Sequence, residues 1–251
     1  MDSRNRVGTW LAKGFGLLFA FAFIGLGGLQ KRRPSEKKLR ALATSEQARS
    51  RRAEEEEKIH SLIARLAEVE GLEHVLTRFS DHCYRPNTGP FEGRPMNTLI
   101  CSMEAVAYFG VRGDLADVLP RIRAAGIATW GPQREGEPDH PHATGTVRYA
   151  LAYHRSQGRD PDGRLMPGPD LRAKGLEITW DRPDAPLVNL VEEPRPCPPP
   201  RSGDIYARCS VVPQMPTTVA AARARYGTVL AFSLGTWGSS AHPYFTVPRR
   251  S

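Results

Sequence analysis

The chain has 251 residues, of which 40% are hydrophobic and 25% are charged, and its formal net charge is +8. That charge lies in the N-terminal part. Residues 1–52 carry 12 basic and 3 acidic side chains, whereas residues 53–251 carry 23 and 24. The nearly neutral remainder argues against a nucleic-acid-binding domain, which would normally present a basic face.

The first feature along the chain is an apolar segment at 7–30, preceded by a short tail at 1–6. Its only charged side chain is Lys13, which is close enough to the segment's end to reach lipid headgroups. About 20 apolar helical residues cross a bilayer core of roughly 30 Å, so the segment predicts an uncleaved, single-pass transmembrane anchor. A cleaved signal peptide and a buried core helix are the alternatives, although no small-x-small cleavage site follows.

A basic block follows the apolar segment and is interpreted as a membrane-surface contact. Each Lys or Arg beside a bilayer gains about 1 kcal/mol from anionic lipid, so anionic lipid headgroups are a predicted partner. Basic residues favour the cytoplasmic side of a membrane, which would place the C-terminal domain in the cytoplasm. The predicted surface residues are Lys31, Arg32, Arg33, Lys37, Lys38 and Arg40.

Residues 31–70 are predicted to form one stalk helix. Arg49, Arg51 and Arg52 precede Glu54 to Glu57, so oppositely charged side chains can pair along the helix surface. The first half lacks an apolar stripe and is expected to be solvated. The second half is expected to pack on the domain or on a second copy, because apolar residues recur there at helical spacing: Ile59, Leu62, Ile63, Leu66 and Val69.

The globular domain begins near residue 72, after Gly71, and is predicted to be α+β, with a mostly antiparallel sheet and two helices on one face. Its first half spans 72–155 and its second half 204–251. A loop-rich connection at 156–203 joins them, because Pro residues cluster towards its end.

The two halves share an order of features that an internal duplication would produce, although chance could also produce it. Each has a cysteine, a turn, a strand with Cys-Ser, a helix ending in Gly, and a further strand. In the first half the helix lies between Asp114 and Gly126, and the further strand is predicted over 145–153. In the second half the predicted elements are strands at 204–212, 228–234 and 244–247 and a helix at 217–227.

The four cysteines are predicted to form two local disulfides, Cys83–Cys101 and Cys197–Cys209. In each pair, one cysteine begins a connection containing Pro or Gly and the other lies in the following strand, so a chain reversal brings them together. Disulfides persist in oxidising compartments, which favours an extracytoplasmic domain. This conflicts with the cytoplasmic orientation that the basic block favours. The alternatives are four reduced core cysteines and a four-cysteine metal site, although no C-x-x-C motif is present.

A histidine-containing loop is the most site-like patch. Asp139, His140 and His142 offer carboxylate and imidazole ligands for zinc or a similar ion. The alternative is a solvated Pro- and Gly-rich turn, since no H-E-x-x-H motif is present. The chain also lacks a G-x-S-x-G nucleophile elbow and a phosphate-binding glycine loop, so we assign no catalytic residue and expect no cofactor.

These features favour a single-pass membrane protein with a small, non-catalytic α+β binding or accessory domain at the cell envelope. The Ala, Arg, Gly and Pro bias is typical of high-GC bacteria, in which small anchored envelope proteins are common. The protein or ligand partner stays unidentified, and nucleic acid is not expected. One alternative is a metal-assisted hydrolase using Asp139, His140 and His142. Another is a cytoplasmic-facing adaptor that binds anionic lipid through its basic stalk and keeps four free thiols.

Overall fold

A computed structural model describes most of the chain after the N-terminal apolar segment. The predicted anchor at 7–30 therefore lies outside the described residues. Among those residues, no helix combines the length and the apolar character needed to cross a membrane. The described ranges are 34–86, 95–128, 144–173, 176–181, 191–199, 204–212, 217–237 and 240–249.

Five helices and nine strands, numbered in chain order, occupy the described ranges. The helices are α1 (Glu36–Ala43), α2 (Glu46–Ala67), α3 (Leu115–Ala124), α4 (Val147–Arg155) and α5 (Val219–Tyr226). The strands are β1 (Leu72–Tyr84), β2 (Asn97–Val111), β3 (Leu171–Ala173), β4 (Leu176–Trp180), β5 (Tyr206–Val212), β6 (Val229–Leu234), β7 (Thr236–Trp237), β8 (Ser240–Ala241) and β9 (Pro243–Pro248).

Seven of these strands form one antiparallel sheet, in which six follow the order β3-β4-β6-β2-β1-β5 and the seventh, β9, pairs with β2. The 15-residue strand β2 pairs with β1 on one side. On its other side, β6 pairs with the C-terminal half of β2 and β9 pairs with the N-terminal half. β7 and β8 form a separate two-stranded sheet. The predicted α+β class with a mostly antiparallel sheet is therefore confirmed.

The main core lies on one face of the sheet, beneath α2, α3 and α4. Successive side chains of a strand point to opposite faces, and the alternate positions Met103, Ala105, Ala107 and Phe109 of β2 are all fully buried on this face. Trp180 is the largest fully buried side chain in the described ranges. Helix α3 contributes an apolar stripe at helical spacing, formed by Leu115, Val118, Leu119 and Ile122.

The opposite face of the sheet packs against α5. Tyr108 of β2 and Val229 of β6 are buried there against Val219 of α5. Gly110 permits the close approach, because a Cβ at that position would lie 2.1 Å from Cδ2 of Tyr226. Helices therefore cover both faces, and the prediction that they lie on one face is wrong.

The predicted strand at 145–153 is also wrong, because this segment forms helix α4. The Thr146 side chain accepts a hydrogen bond from the Tyr149 backbone N–H and caps the helix. Val147, Ala150 and Tyr153 are then buried at three-residue intervals, a helical spacing. The two halves consequently differ at this element, since the matching element of the second half is strand β6. The predicted pseudo-repeat fails at this position.

The helix predicted after Asp114 and the one predicted at 217–227 are confirmed. The Asp114 side chain accepts a hydrogen bond from the Ala116 backbone N–H, and Thr218 caps α5 in the same way. Gly126 and Gly227 follow these helices with φ angles of 64° and 80°, a region that glycine adopts with little strain.

The stalk predicted at 31–70 as one helix forms two helices, α1 and α2, in its described part. Its second half packs on the domain, as predicted, but its first half, which was expected to be solvated, also packs on the sheet. The helix is interrupted at Thr44-Ser45, and the Ser45 hydroxyl caps α2. Leu39, Ala43 and Ala48 are fully buried. The break resets the helical phase, so the apolar residues of α1 do not continue the stripe of α2, and a search for one long helix misses them.

Candidate functional site

Both predicted disulfides are present. Cys83 of β1 lies directly opposite Cys101 of β2, with a Cα–Cα distance of 4.0 Å. Cys197 joins the segment 191–199 to Cys209 of β5, with a Cα–Cα distance of 5.5 Å. The four cysteines of the chain are therefore all paired.

Most of the other predicted site residues fall outside the described part of the chain. Asp139, His140 and His142 lie outside the described residues, as do Lys31, Arg32 and Arg33. Within the described ranges, no group of three or more His, Cys, Asp or Glu side chains is placed to hold a metal ion. Lys37, Lys38 and Arg40 are exposed on α1, and their contact with lipid remains a prediction.

The most distinctive polar site in the described structure is a buried ion cluster beneath the N-terminal helices. Its members are Arg52 of α2, Asp81 of β1 and Tyr244 of β9. Arg52 is 8% exposed and Asp81 is 1% exposed, an environment in which an unpaired charge is very costly. Three separate elements of the chain are held together at this point.

Direct contacts within the cluster satisfy most of its polar atoms. Arg52 Nε lies 2.7 Å from Asp81 Oδ2, an ion pair by distance, while its hydrogen points to the Tyr244 hydroxyl 3.1 Å away. That hydroxyl donates to Asp81 Oδ1 at 2.7 Å. Arg52 Nη2 donates to the Ala43 carbonyl at 3.1 Å, so the same guanidinium also binds the last residue of α1.

The cluster extends in two directions. Arg52 Nη2 lies 3.9 Å from Cys83 Sγ, so the cluster adjoins the buried disulfide. Toward the surface, Arg208 Nη2 donates to Glu56 Oε2 at 2.7 Å, and Arg208 Nε lies 3.9 Å from Asp81 Oδ2. The Arg52 guanidinium also stacks 4.0 Å over the Tyr206 ring. Both N-terminal helices are thus tied to strands β1, β5 and β9.

Burial perturbs the acid–base behaviour of this cluster. Desolvation raises the pKa of Asp81, and the hydrogen bond from Tyr244 and the charges of Arg52 and Arg208 oppose that shift. Desolvation also raises the pKa of Tyr244, and the contact with Asp81 adds to the shift. The tyrosine therefore stays a neutral donor to the carboxylate throughout the physiological pH range.

The arrangement suits fixing helices to the sheet better than it suits chemistry on a ligand. The carboxylate, the guanidinium and the phenol contact one another beneath α1 and α2, and Asp81 Oδ2 is held by the charge of Arg52 without accepting a hydrogen bond in the described structure. Sequence reasoning missed the cluster. A signal was present, since Asp81 alternates with Phe79 and Cys83 on β1, which places a carboxylate on a buried face and requires a cationic partner.

A second polar pair, Ser102 and His82, lies on the other face of β1 and β2. Ser102 Oγ is 3.4 Å from His82 Nε2, and the His82 ring stacks on Tyr84. A serine nucleophile needs a base that a third group orients. No carboxylate contacts His82 in the described part of the chain, and Ser102 is only 3% exposed. The pair therefore supports no catalytic assignment.

Alkaline pH is expected to destabilise the protein partly through Tyr244. Its raised pKa means that the native state keeps a proton that the unfolded chain releases above about pH 10. This contribution is complete below pH 10 and is lost as the pH rises further. Tyr244→Phe should lower the free energy of unfolding by about 1–2 kcal/mol at pH 7, because Asp81 loses a hydrogen bond. Between pH 9 and 11, however, the variant should lose less stability than the unmodified protein does.

Thermal unfolding of the full-length protein and of the variant at pH 9 and pH 11 measures this difference in alkaline loss of stability. Tyr84→Phe is the matched control, because Tyr84 is 41% exposed and lies outside the cluster. Equal alkaline losses in the two variants would contradict the role given to Tyr244.

Comparison with known proteins found no matching family model, no similar curated protein and no similar solved structure.

Proposed function

We propose that this chain is a single-pass membrane protein whose α+β domain lies outside the cytoplasm and acts as a non-catalytic binding or accessory module at the cell envelope. The observation that carries the proposal is the pairing of all four cysteines as Cys83–Cys101 and Cys197–Cys209. Such disulfides are stable in oxidising compartments and rare in the bacterial cytoplasm. We give these disulfides more weight than the basic block, which by itself favours a cytoplasmic domain.

The buried ion cluster supports an accessory role. A protein held by its N-terminus transmits any load on the domain through α1 and α2. Arg52 joins both helices to Asp81 of the central sheet. Once paired, such buried charges resist separation of the helices from the sheet, because breaking a buried ion pair is costly.

Cysteine accessibility in intact cells tests the topology. Cells expressing the full-length protein are treated with maleimide-PEG, with and without prior exposure to a membrane-impermeant reductant. We expect a gel shift only after reduction, because an external domain presents no free thiol until its disulfides are opened.

Labelling without reduction, and only in permeabilised cells, would overturn the proposal. The domain would then face the cytoplasm with free thiols, as the lipid-binding adaptor alternative requires. A variant with Cys197→Ala/Cys209→Ala provides the control, since its remaining two cysteines are buried and joined to each other and should label only after both unfolding and reduction.

A further inference from the structure

A groove between α3 and α4 carries a set of arginines that the ion cluster does not use. The groove encloses about 620 Å³ and opens to solvent. Three arginines line it, Arg123 from α3 and Arg148 and Arg155 from α4. Its apolar lining includes Pro120, Val147 and Leu151.

Helical spacing explains why these side chains converge. Arg148, Leu151 and Arg155 are separated by three and four residues, which places them on one side of α4. Pro120 and Arg123 are separated by three residues on α3. The two helices thus present their basic positions to the same space, with apolar side chains between them.

The groove arginines of α4 differ from the arginines that the fold pairs with carboxylates. Arg52, Arg208 and Arg223 each form an ion pair with a carboxylate. The side chains of Arg148 and Arg155 are exposed and form no ion pair or hydrogen bond with any other described residue. Arg148 and Arg155 carry like charges, which repel one another, so an anion bound between them would relieve that repulsion.

We propose that this groove binds a phosphate group attached to an apolar portion. Guanidinium groups match phosphate oxygens in paired hydrogen bonds, and the two guanidinium groups of Arg148 and Arg155 suit a dianionic phosphate better than a singly charged carboxylate. Val147 and Arg148 also lie in the first turn of α4, where the helix dipole adds a partial positive charge. Leu151 and Pro120 would contact the apolar portion of the ligand.

The inference deepens the binding role proposed above by giving it a ligand class, but its test does not depend on membrane topology. The phosphate could come from a lipid headgroup or from a soluble organic phosphate. Both sources share the chemistry that the groove recognises, and the experiment separates them.

Calorimetric titration of the full-length protein in nanodiscs of phosphatidylcholine tests the proposal, with inorganic phosphate and hexyl phosphate as probes. Titration at about 0.15 M salt screens distant charges, because the Debye length is then about 8 Å. We expect hexyl phosphate to bind more tightly than inorganic phosphate, because its alkyl chain buries apolar surface in the groove.

Three double variants identify the groove as the site. Arg148→Gln/Arg155→Gln should weaken hexyl phosphate binding by about tenfold or more, since two charge-assisted contacts are lost. Arg148→Lys/Arg155→Lys keeps the charge but loses the paired hydrogen-bond geometry, so its affinity for hexyl phosphate should lie between those of the unmodified protein and the Gln variant. The control, Arg51→Gln/Arg164→Gln, removes the same charge from exposed positions and should change binding less than about twofold.

Nanodiscs that also contain phosphatidic acid identify the source of the phosphate. Weaker hexyl phosphate binding in them, seen in the unmodified protein but not in the Gln variant, would indicate competition by a lipid headgroup. Unchanged binding would indicate a soluble ligand. The proposal is overturned if neither probe binds, or if the groove and control variants weaken binding equally. Reversed topology in the cysteine experiment would leave this result unaffected.

Discussion

Replacing Arg52 with alanine is expected to destabilise the domain by about 3–5 kcal/mol, the usual cost of removing one partner of a buried ion pair. Asp81 is 1% exposed, so its carboxylate would stay buried without its main counter-charge. The Ala43 carbonyl would also lose the hydrogen bond that holds α1. Urea unfolding of the full-length protein, followed by circular dichroism, measures the change in free energy.

The neighbouring arginine provides a matched control. Arg51 Nη1 lies 3.0 Å from Glu54 Oε2, and both side chains are about half exposed. Arg51→Ala should therefore cost less than about 1 kcal/mol, as exposed ion pairs usually do. Similar costs for Arg51→Ala and Arg52→Ala would show that the buried cluster does not stabilise the fold in the way described.

The pH dependence of the Arg52 variant gives an independent test. Burial already raises the pKa of Asp81, and Arg52 opposes this shift, so the variant should have a still higher pKa in the folded state. The native carboxyl of Asp81 then binds a proton at a higher pH than the same carboxyl in the unfolded chain. The stability of the variant therefore increases as the pH falls toward the pKa of the carboxyl in the unfolded chain. The penalty of Arg52→Ala should therefore be smaller at pH 5 than at pH 7.

A double variant separates the loss of a charge from the loss of a contact. Arg52→Met/Asp81→Leu removes both charges and keeps side-chain volume, a replacement that is often neutral or stabilising. It should recover most of the stability lost in Arg52→Ala. Failure to recover would mean that the hydrogen bonds to Ala43 and Tyr244, rather than the burial of charge, dominate the cost.

Local chemistry explains which parts of the structure were predictable. Helix α3 was predictable because Asp114 caps it and Gly126 ends it within one short stretch. The disulfides were predictable because each pair closes a short loop, of 18 or 12 residues. In both cases, the residues that determine the structure lie close together in the chain.

The ion cluster could not be predicted in the same way. Tyr244 lies 192 residues from Arg52 and 163 from Asp81, so their meeting depends on the order of strands in the sheet. The pairing of β9 with the N-terminal half of β2 brings Tyr244 to the cluster. Pattern analysis could show that Asp81 needs a partner, but the identity of that partner follows only from the completed sheet.

Helix α4 shows a different limit. Val147, Tyr149 and Tyr153 are β-branched or aromatic residues, and such residues favour strands. Tertiary packing overrides that preference, because Val147 and Ala150 are buried in the main core beside α3. Residue preference was a weaker guide than the Thr146 cap.

Removing the Cys83–Cys101 disulfide is expected to cost more than removing Cys197–Cys209. Loops of this size give each disulfide roughly 3 kcal/mol in the chain-entropy account. Cys83 and Cys101 are also 1% and 0% exposed and pack against Leu39 and Leu99, so alanine at both positions leaves unfilled space in the core. Urea unfolding should show a loss of about 4–5 kcal/mol for Cys83→Ala/Cys101→Ala and about 2–3 kcal/mol for Cys197→Ala/Cys209→Ala.

The same difference in burial predicts the order in which the intact protein is reduced. Cys197 is exposed, whereas α1 and the ion cluster cover the Cys83–Cys101 bond. Graded reduction followed by alkylation and mass spectrometry should therefore find Cys197 and Cys209 modified first. Arg52→Ala should reduce the difference in reduction rate between the two disulfides, because it loosens the helices that cover Cys83–Cys101. Reduction of both disulfides at the same rate in the unmodified protein would show that α1 and α2 do not shield Cys83–Cys101. It would contradict the proposal that Arg52 holds these helices on the sheet.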